Sequence, residues 1–235
     1  MGRIFEKRKH KIFARNARLS KAFTKIGKEI AMAVKQAGPN PDSNQKLRVA
    51  IQNAKGLNMP KDKVEAAIKR ASSKEEKDFQ EVIYEGYAPH GVPVLVECAT
   101  DNPTRTVANI RLHFSKNGGS MGTSGSVSFM FERKGIFKFP AGSLDLDALE
   151  LDLIDAGAED IEKADEEIVI STKFTDFGTM QKFLESNKLE ATSAELQFIP
   201  TTTKELTEAE QDEILKLVNA LEEDEDVQSV YHNVA

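Results

Sequence analysis

Four histidines are the natural starting point for catalytic or metal chemistry, and their spacing argues against both. His10, His90, His113 and His232 are far apart, and none has a second His or a Cys at a spacing that brings two ligands to one metal ion. The single cysteine, Cys98, lies in the apolar run 94–99. One thiol excludes an internal disulfide framework, and apolar neighbours favour a buried, inert group over a reactive one. A lone cysteine also fits a reducing, cytoplasmic compartment. The acidic residues gather in runs such as Glu222-Glu223-Asp224-Glu225-Asp226, which read as a solvated helix end. No nucleophile, base and orienting group converge, so no enzyme is expected, and no metal or cofactor.

The glycine-rich segment Gly118-Gly119-Ser120-Met121-Gly122-Thr123-Ser124-Gly125-Ser126 is the most unusual stretch. It resembles a phosphate cradle but lacks the Gly-Lys-Ser/Thr ending of a P-loop. It follows a helical pattern and precedes a strand pattern, the reverse of a dinucleotide fingerprint. Ser126 stands where a nucleophile elbow needs Gly. Two readings remain: a flexible connection, or a functional loop whose backbone N–H groups and hydroxyls touch RNA or peptide. Gly118, Gly119, Gly122, Thr123, Ser124, Gly125 and Ser126 are the candidates for the second.

The basic start is the other candidate surface. Residues 1–28 hold one acid, Glu6, against Arg3, Lys7, Arg8, Lys9, Lys11, Arg15, Arg18, Lys21, Lys25 and Lys28. On a helix, Lys7, Lys11, Arg15 and Arg18 form one stripe, suited to phosphates along a groove. Lys61, Lys63, Lys69 and Arg70 could extend it. Arg105, Arg111 and Lys116 lie off the apolar stripe of a later helix and flank the glycine-rich segment. Phe5 and Phe13 could stack on bases, though core packing is the favoured reading. An organellar presequence competes for the first residues, but the segment is rich in Lys as well as Arg and has no Ser before Ser20.

The elements behind these residues follow from periodicity. Apolar positions Phe23, Ile26, Ile30, Val34 and Ala37 predict a helix capped at Ser20 and stopped by Gly38-Pro39. Asp42 or Ser43 is expected to cap a second helix, and Pro60 to open a third. Beyond a polar linker at 72–78 the period becomes strand-like. Strands are expected at 82–87, 92–99 and 126–132, with a helix opened by Asn102-Pro103 between the last two. Residues 133–135 read as a turn. The order over 136–200 is then βαββαβ, a ferredoxin-like arrangement. A helix at 207–221, with Thr207 and Glu210 as a capping box, and a strand at 227–232 close the chain.

The expected fold is therefore multidomain α+β: an N-terminal three-helix domain plus two α/β sandwich domains of ferredoxin-like type, one discontinuous. The domains are 1–77, 79–133 with 205–235, and an inserted 136–200. The 235 residues are 40% hydrophobic and 30% charged, which fits a globular protein. No apolar run approaches the roughly 20 residues of a bilayer span, so no membrane partner is expected. The net charge of -6 conceals a division: 20 Lys and Arg against 7 Asp and Glu in 1–77, a net of +13, and 12 against 31 in 78–235, a net of -19. Such asymmetry points to a polyanion partner, the alternative being lysines that merely solvate a helical module.

Several segments together resemble the YebC/PmpR family across essentially the whole chain. They are Met59-Pro60-Lys61-Asp62-Lys63-Val64-Glu65-Ala66-Ala67-Ile68-Lys69-Arg70-Ala71, Tyr84-Glu85-Gly86-Tyr87, Asp101-Asn102-Pro103-Thr104-Arg105-Thr106-Val107-Ala108, Phe114-Ser115-Lys116-Asn117-Gly118-Gly119, Gly122-Thr123-Ser124-Gly125-Ser126-Val127 and Phe131-Glu132-Arg133-Lys134-Gly135. The resemblance implies a cytosolic three-domain protein without enzymatic activity. It implies a DNA-binding transcriptional regulator or, as described for members including relatives of the mitochondrial translational activator of cytochrome c oxidase, a ribosome-associated factor. Such a factor binds ribosomal RNA and relieves stalling at consecutive prolines. Most members begin Met-Ala-Gly-His-Ser-Lys-Trp; here Met1-Gly2-Arg3-Ile4-Phe5-Glu6-Lys7 stands instead and the chain has no Trp, which marks a separate branch. A monomer or weak oligomer is expected. An interaction scaffold without nucleic acid is the competing class, distinguished by binding that salt leaves unchanged.

Overall fold

The structure is a computed structural model that describes the backbone of 3–73 and 78–235, and side chains from Arg18 onward outside 74–77. It divides into two compact units, Met1–Asp78 and Phe79–Ala235. The polar linker expected at 72–78 falls mostly outside the described residues.

In the first unit α1 (Arg3–Ala37) runs unbroken through the expected cap at Ser20. Nothing interrupts it, because the chain has no proline before Pro39 and Gly27 sits between the buried Ile26 and Ile30. The Ser20 carbonyl instead accepts from Thr24 Oγ1 at 3.0 Å. Helices α2 (Gln45–Gly56) and α3 (Lys61–Ala71) each pack on α1 more than on one another. The α2 cap is Asn44, not Asp42 or Ser43, which lie in a 3-10 turn. Asn44 wins because its buried amide does two tasks. Its Oδ1 accepts from Leu47 N–H at 3.0 Å, while its Nδ2 donates to the Ala33 and Gly38 carbonyls at the end of α1. Pro60 precedes α3 as its cap residue rather than opening it. Ile30, Val34, Leu47, Ala54, Val64 and Ala71 form the buried faces.

The second unit carries two antiparallel sheets. In the first, β1 (Gln80–Ala88) and β2 (Val92–Thr100) form a hairpin, and the order is β3-β1-β2-β8, with β3 (Ser120–Met121) and β8 (Val227–His232) at the edges. The C-terminal strand thus joins a sheet begun far upstream, pairing antiparallel with β2. Helices α4 (Pro103–Lys116) and α7 (Glu208–Glu222) cover one face, where Val94, Val96 and Cys98 meet Ile110, Phe114, Leu217 and Leu221. Asn102 caps α4, and Thr207 with Glu210 forms the capping box of α7. Alternation sends Leu95 to the opposite face, against Val127 and Phe131.

The second sheet has the order β5-β6-β4-β7, built from β4 (Phe131–Pro140), β5 (Ala158–Lys163), β6 (Glu167–Lys173) and β7 (Ser193–Pro200). With α5 (Leu146–Asp155) and α6 (Phe177–Ser186) the chain order is βαββαβ, the ferredoxin-like arrangement read from the sequence.

Two expectations fail at the junction. Residues 126–132 do not form a strand of the first sheet; that edge is the short β3, and Ser128–Met130 is a 3-10 turn. Arg133-Lys134-Gly135 is not a turn but part of β4: all three pair with β7, and Lys134 and Gly135 pair with β6 as well. Gly135 serves close packing here. A Cβ would run into Thr172 Oγ1 and lie 2.7 Å from Phe177 Cδ2. Gly135→Ala is therefore expected to destabilise the second unit by about 1–3 kcal/mol through overpacking. A thermal melt should show a loss of about 3–9 °C; an unchanged midpoint would contradict this packing. We propose that 79–133 with 205–235 and the inserted 136–200 are separate domains, with the continuous strand β4 rather than a linker running from one into the other.

Candidate nucleic-acid interface

The α1 backbone runs through every cationic position from Arg3 to Lys28. The side chains of Arg3, Lys7, Arg8, Lys9, Lys11 and Arg15, with those of Phe5 and Phe13, lie outside the described residues. Arg18 and Lys21 are exposed. On α3 the buried face is Val64, Ala67 and Ala71, which leaves Lys61, Lys63, Lys69 and Arg70 exposed. Lys61 pairs loosely with Glu65 at 3.6 Å, and Lys63 lies 5.4 Å from the centre of the Phe23 ring.

The three α4 cations divide. Arg105 is committed internally: its Nη2 donates to Asp101 at 2.9 Å and to Asp226 at 2.6 Å. Those hydrogen bonds raise its pKa above the ordinary arginine value. The nearly buried Asp226 also accepts from Thr100 Oγ1 and Thr106 Oγ1, so Arg105 ties the start of α4 to the C-terminal segment. Part of the acidic run at 222–226 is thus a structural anchor rather than a solvated end. Arg111 and Lys116 are exposed, and neither has an acidic partner among the described residues.

The glycine-rich segment is held from below by a residue that the sequence reading did not single out as a site. Glu85, on β1 and 5% exposed, accepts from the backbone N–H groups of Gly125 at 2.7 Å, Val127 at 2.7 Å and Ser128 at 2.9 Å. Its own carbonyl accepts from Gly122 N–H at 2.8 Å, and Tyr87 Oη donates to the Ser126 carbonyl. Burial works against the Glu85 charge, but the three backbone donors outweigh it and hold the carboxyl below its usual pKa. The available signal was an acid inside the strand-like run 82–87, where alternation alone gives it no partner.

This arrangement corrects one part of the phosphate-cradle reading. The amides of Gly125, Val127 and Ser128 point inward to a carboxylate of the chain itself, so they are not offered to a phosphate. Facing solvent are Thr123, Ser124 and Gly125, and Gly125 holds a φ of +85° that favours glycine. Gly118 and Gly119 turn the chain from α4 into β3, with Gly119 N–H donating to the Phe114 carbonyl. Ser126 Oγ is buried without a hydrogen-bond partner among the described residues. Among the described residues no cluster of His, Cys, Asp and Glu could hold a metal ion, and no helix is long and apolar enough to cross a membrane.

Comparison with known proteins gives concordant matches. The profile described as TACO1/YebC protein N-terminal domain matches residues 3–74, and that of the TACO1/YebC second and third domain matches 79–234. A probable transcriptional regulatory protein of Anaeromyxobacter dehalogenans is 55% identical over 240 residues, covering all of both chains. One from Cytophaga hutchinsonii is 54% identical over 235 residues, covering all of this chain and 99% of its own. In the crystal structure of a conserved hypothetical protein from Aquifex aeolicus the chain has a counterpart with a TM-score of 0.81 and 40% identity. That match covers 92% of this chain and 90% of the other.

Proposed function

This chain belongs to the TACO1/YebC family, and on that premise we propose that it is a non-enzymatic regulator of gene expression that binds nucleic acid. One observation carries the reading. The helix α1 gathers ten Lys and Arg against a single acid within residues 1–28, in a chain that is acidic overall. Such a surface neutralises phosphates and supplies affinity without reading sequence. The names of the relatives point to transcription, hence to DNA.

A second reading, binding to ribosomal RNA in translation with relief of stalling at consecutive prolines, is favoured by the helix packing. A base-reading helix-turn-helix packs its two helices together and sets one into the major groove. Here α2 and α3 pack mainly on α1. Crosslinking in cells followed by sequencing of the bound nucleic acid tests both. Promoter DNA without ribosomal RNA is the result expected for the first; an rRNA footprint without promoters is expected for the second. Recovery of neither overturns the proposal.

A further inference from the structure

Every one of the ten residues of α5 is apolar or acidic; the helix has no base and no neutral polar side chain. Its inward side is supplied by Leu153, which is buried, and by Leu146 and Leu149, which are half-buried. Ala148, Leu151 and Ile154 lie on the other side and are exposed, Leu151 by 77% and Ile154 by 51%. Spaced at i, i+3 and i+6, they form one ridge centred on Leu151. A single exposed leucine, such as Leu215 on α7, is ordinary. A helix that has buried one apolar side and still presents a second apolar ridge has room for a further packing partner.

The charges around the ridge state the chemistry of that partner. Helical spacing puts Glu150 on one rim and Asp152 on the other, with Asp147 and Asp155 beside Leu151. All four are exposed, and none has an ion-pair partner among the described residues. Lys134 and Lys173, which reach the following strand β5, pair with its Glu159 instead. Asp152 and Asp155 also occupy the last turn of α5, where the helix dipole favours cations and no base is present. The free chain therefore carries two unfavourable features on one face, and one occupant relieves both. Nucleic acid, an anionic membrane or the same face of a second copy would set negative charge against negative charge. A helix with a Leu or Ile stripe flanked by Lys and Arg fits the ridge and both rims, as flanking charges do beside an apolar helix–helix seam. We propose that the outer face of α5 docks a Lys/Arg-rich amphipathic helix of a partner protein, with Leu151 as its central anchor. This inference concerns the acidic unit alone and does not rest on the nucleic-acid reading.

The full chain is titrated with a labelled synthetic peptide of Leu, Lys and Ala, about 18 residues long so that it forms a helix. Its leucines lie on one stripe with lysines on both flanks. The wild type should bind it saturably, and Leu151→Ala should weaken binding by roughly 5- to 30-fold without lowering the melting temperature, as loss of one central anchor implies. Leu215→Ala should bind like the wild type. The same peptide with Glu in place of Lys should not bind. Asp152→Lys combined with Asp155→Lys should abolish binding of the Lys peptide while raising the melting temperature by about 1–4 °C, because the last turn then suits the helix dipole. No binding by the wild type, or equal binding by Leu151→Ala, overturns the docking face. Equal binding of the Glu peptide overturns the choice of a basic partner. So does sedimentation that shows a dimer dispersed by Leu151→Ala, which would assign the ridge to a second copy. Nucleic-acid binding should be the same in Leu151→Ala as in the wild type; its loss in this variant would assign the ridge to nucleic acid and overturn the protein partner.

Discussion

Glu85→Gln is expected to destabilise the second unit by about 2–4 kcal/mol at neutral pH, because a buried charge-assisted site loses its charge and one donor meets an amide NH2. The melting midpoint should fall by about 10 °C for a unit of this size. Hydrogen exchange should report the cause locally, with protection lost first at Gly125, Val127 and Ser128, whose N–H groups the carboxylate accepts. The pH dependence has a definite sign. The folded pKa of Glu85 lies below its ordinary value. Its contribution is therefore fully present above the unfolded value of about 4.3 and is lost as pH falls through the folded value. The gap between wild type and Glu85→Gln should be widest near neutral pH and narrow progressively as pH falls below the unfolded value of about 4.3 toward the lower folded value. A gap that stays constant down to about pH 3 would falsify the ionised anchor. The loop's shape is thus expected to fail before the strands beneath it do.

The second large effect concerns affinity. If the α1 surface engages six or more phosphates, binding should weaken on the order of 10³-fold between 50 and 200 mM salt. Reversing Lys7, Lys11, Arg15 and Arg18 to Glu should reduce the log–log salt slope by roughly 3 and remove most of the binding. Deletion of residues 1–20 should do the same and leave the fold intact, since among the described residues of α1 the first buried side chain is Ile26. Salt-independent binding, or full binding by either variant, would return these cations to solvation of a helical module and favour the protein scaffold.

These two effects differ in how far the sequence anticipated them. The α1 cations were visible as a run of residue types, because long-range phosphate attraction depends on charge and helical spacing more than on side-chain contacts. The elements themselves were legible for the same reason. Periodicity located α4, α7 and the βαββαβ order, and caps such as Asn102 and Thr207 act within four residues of chain. The boundaries that failed depended on distant partners. Asn44 displaced Asp42 and Ser43 as a cap because it also reaches Ala33 and Gly38. The apparent turn at 133–135 became mid-strand because Gly135 pairs on both sides and gives room to Thr172 and Phe177.

By itself the sequence determined the family, the α+β class, the separation of a net +13 segment from a net -19 remainder, and the cationic helix. Each is a property of composition or local spacing. Only the tertiary structure decided which charged groups are committed. Arg105 looked available until Asp101 and Asp226 were seen to hold it, and the glycine-rich amides looked like a phosphate cradle until Glu85 was found beneath them. Asp226 and Glu85 lie 121 and 40 residues from the groups they engage. Charge compensation in a folded chain acts through space, and no local pattern encodes which ions end up satisfied and which remain turned toward a partner.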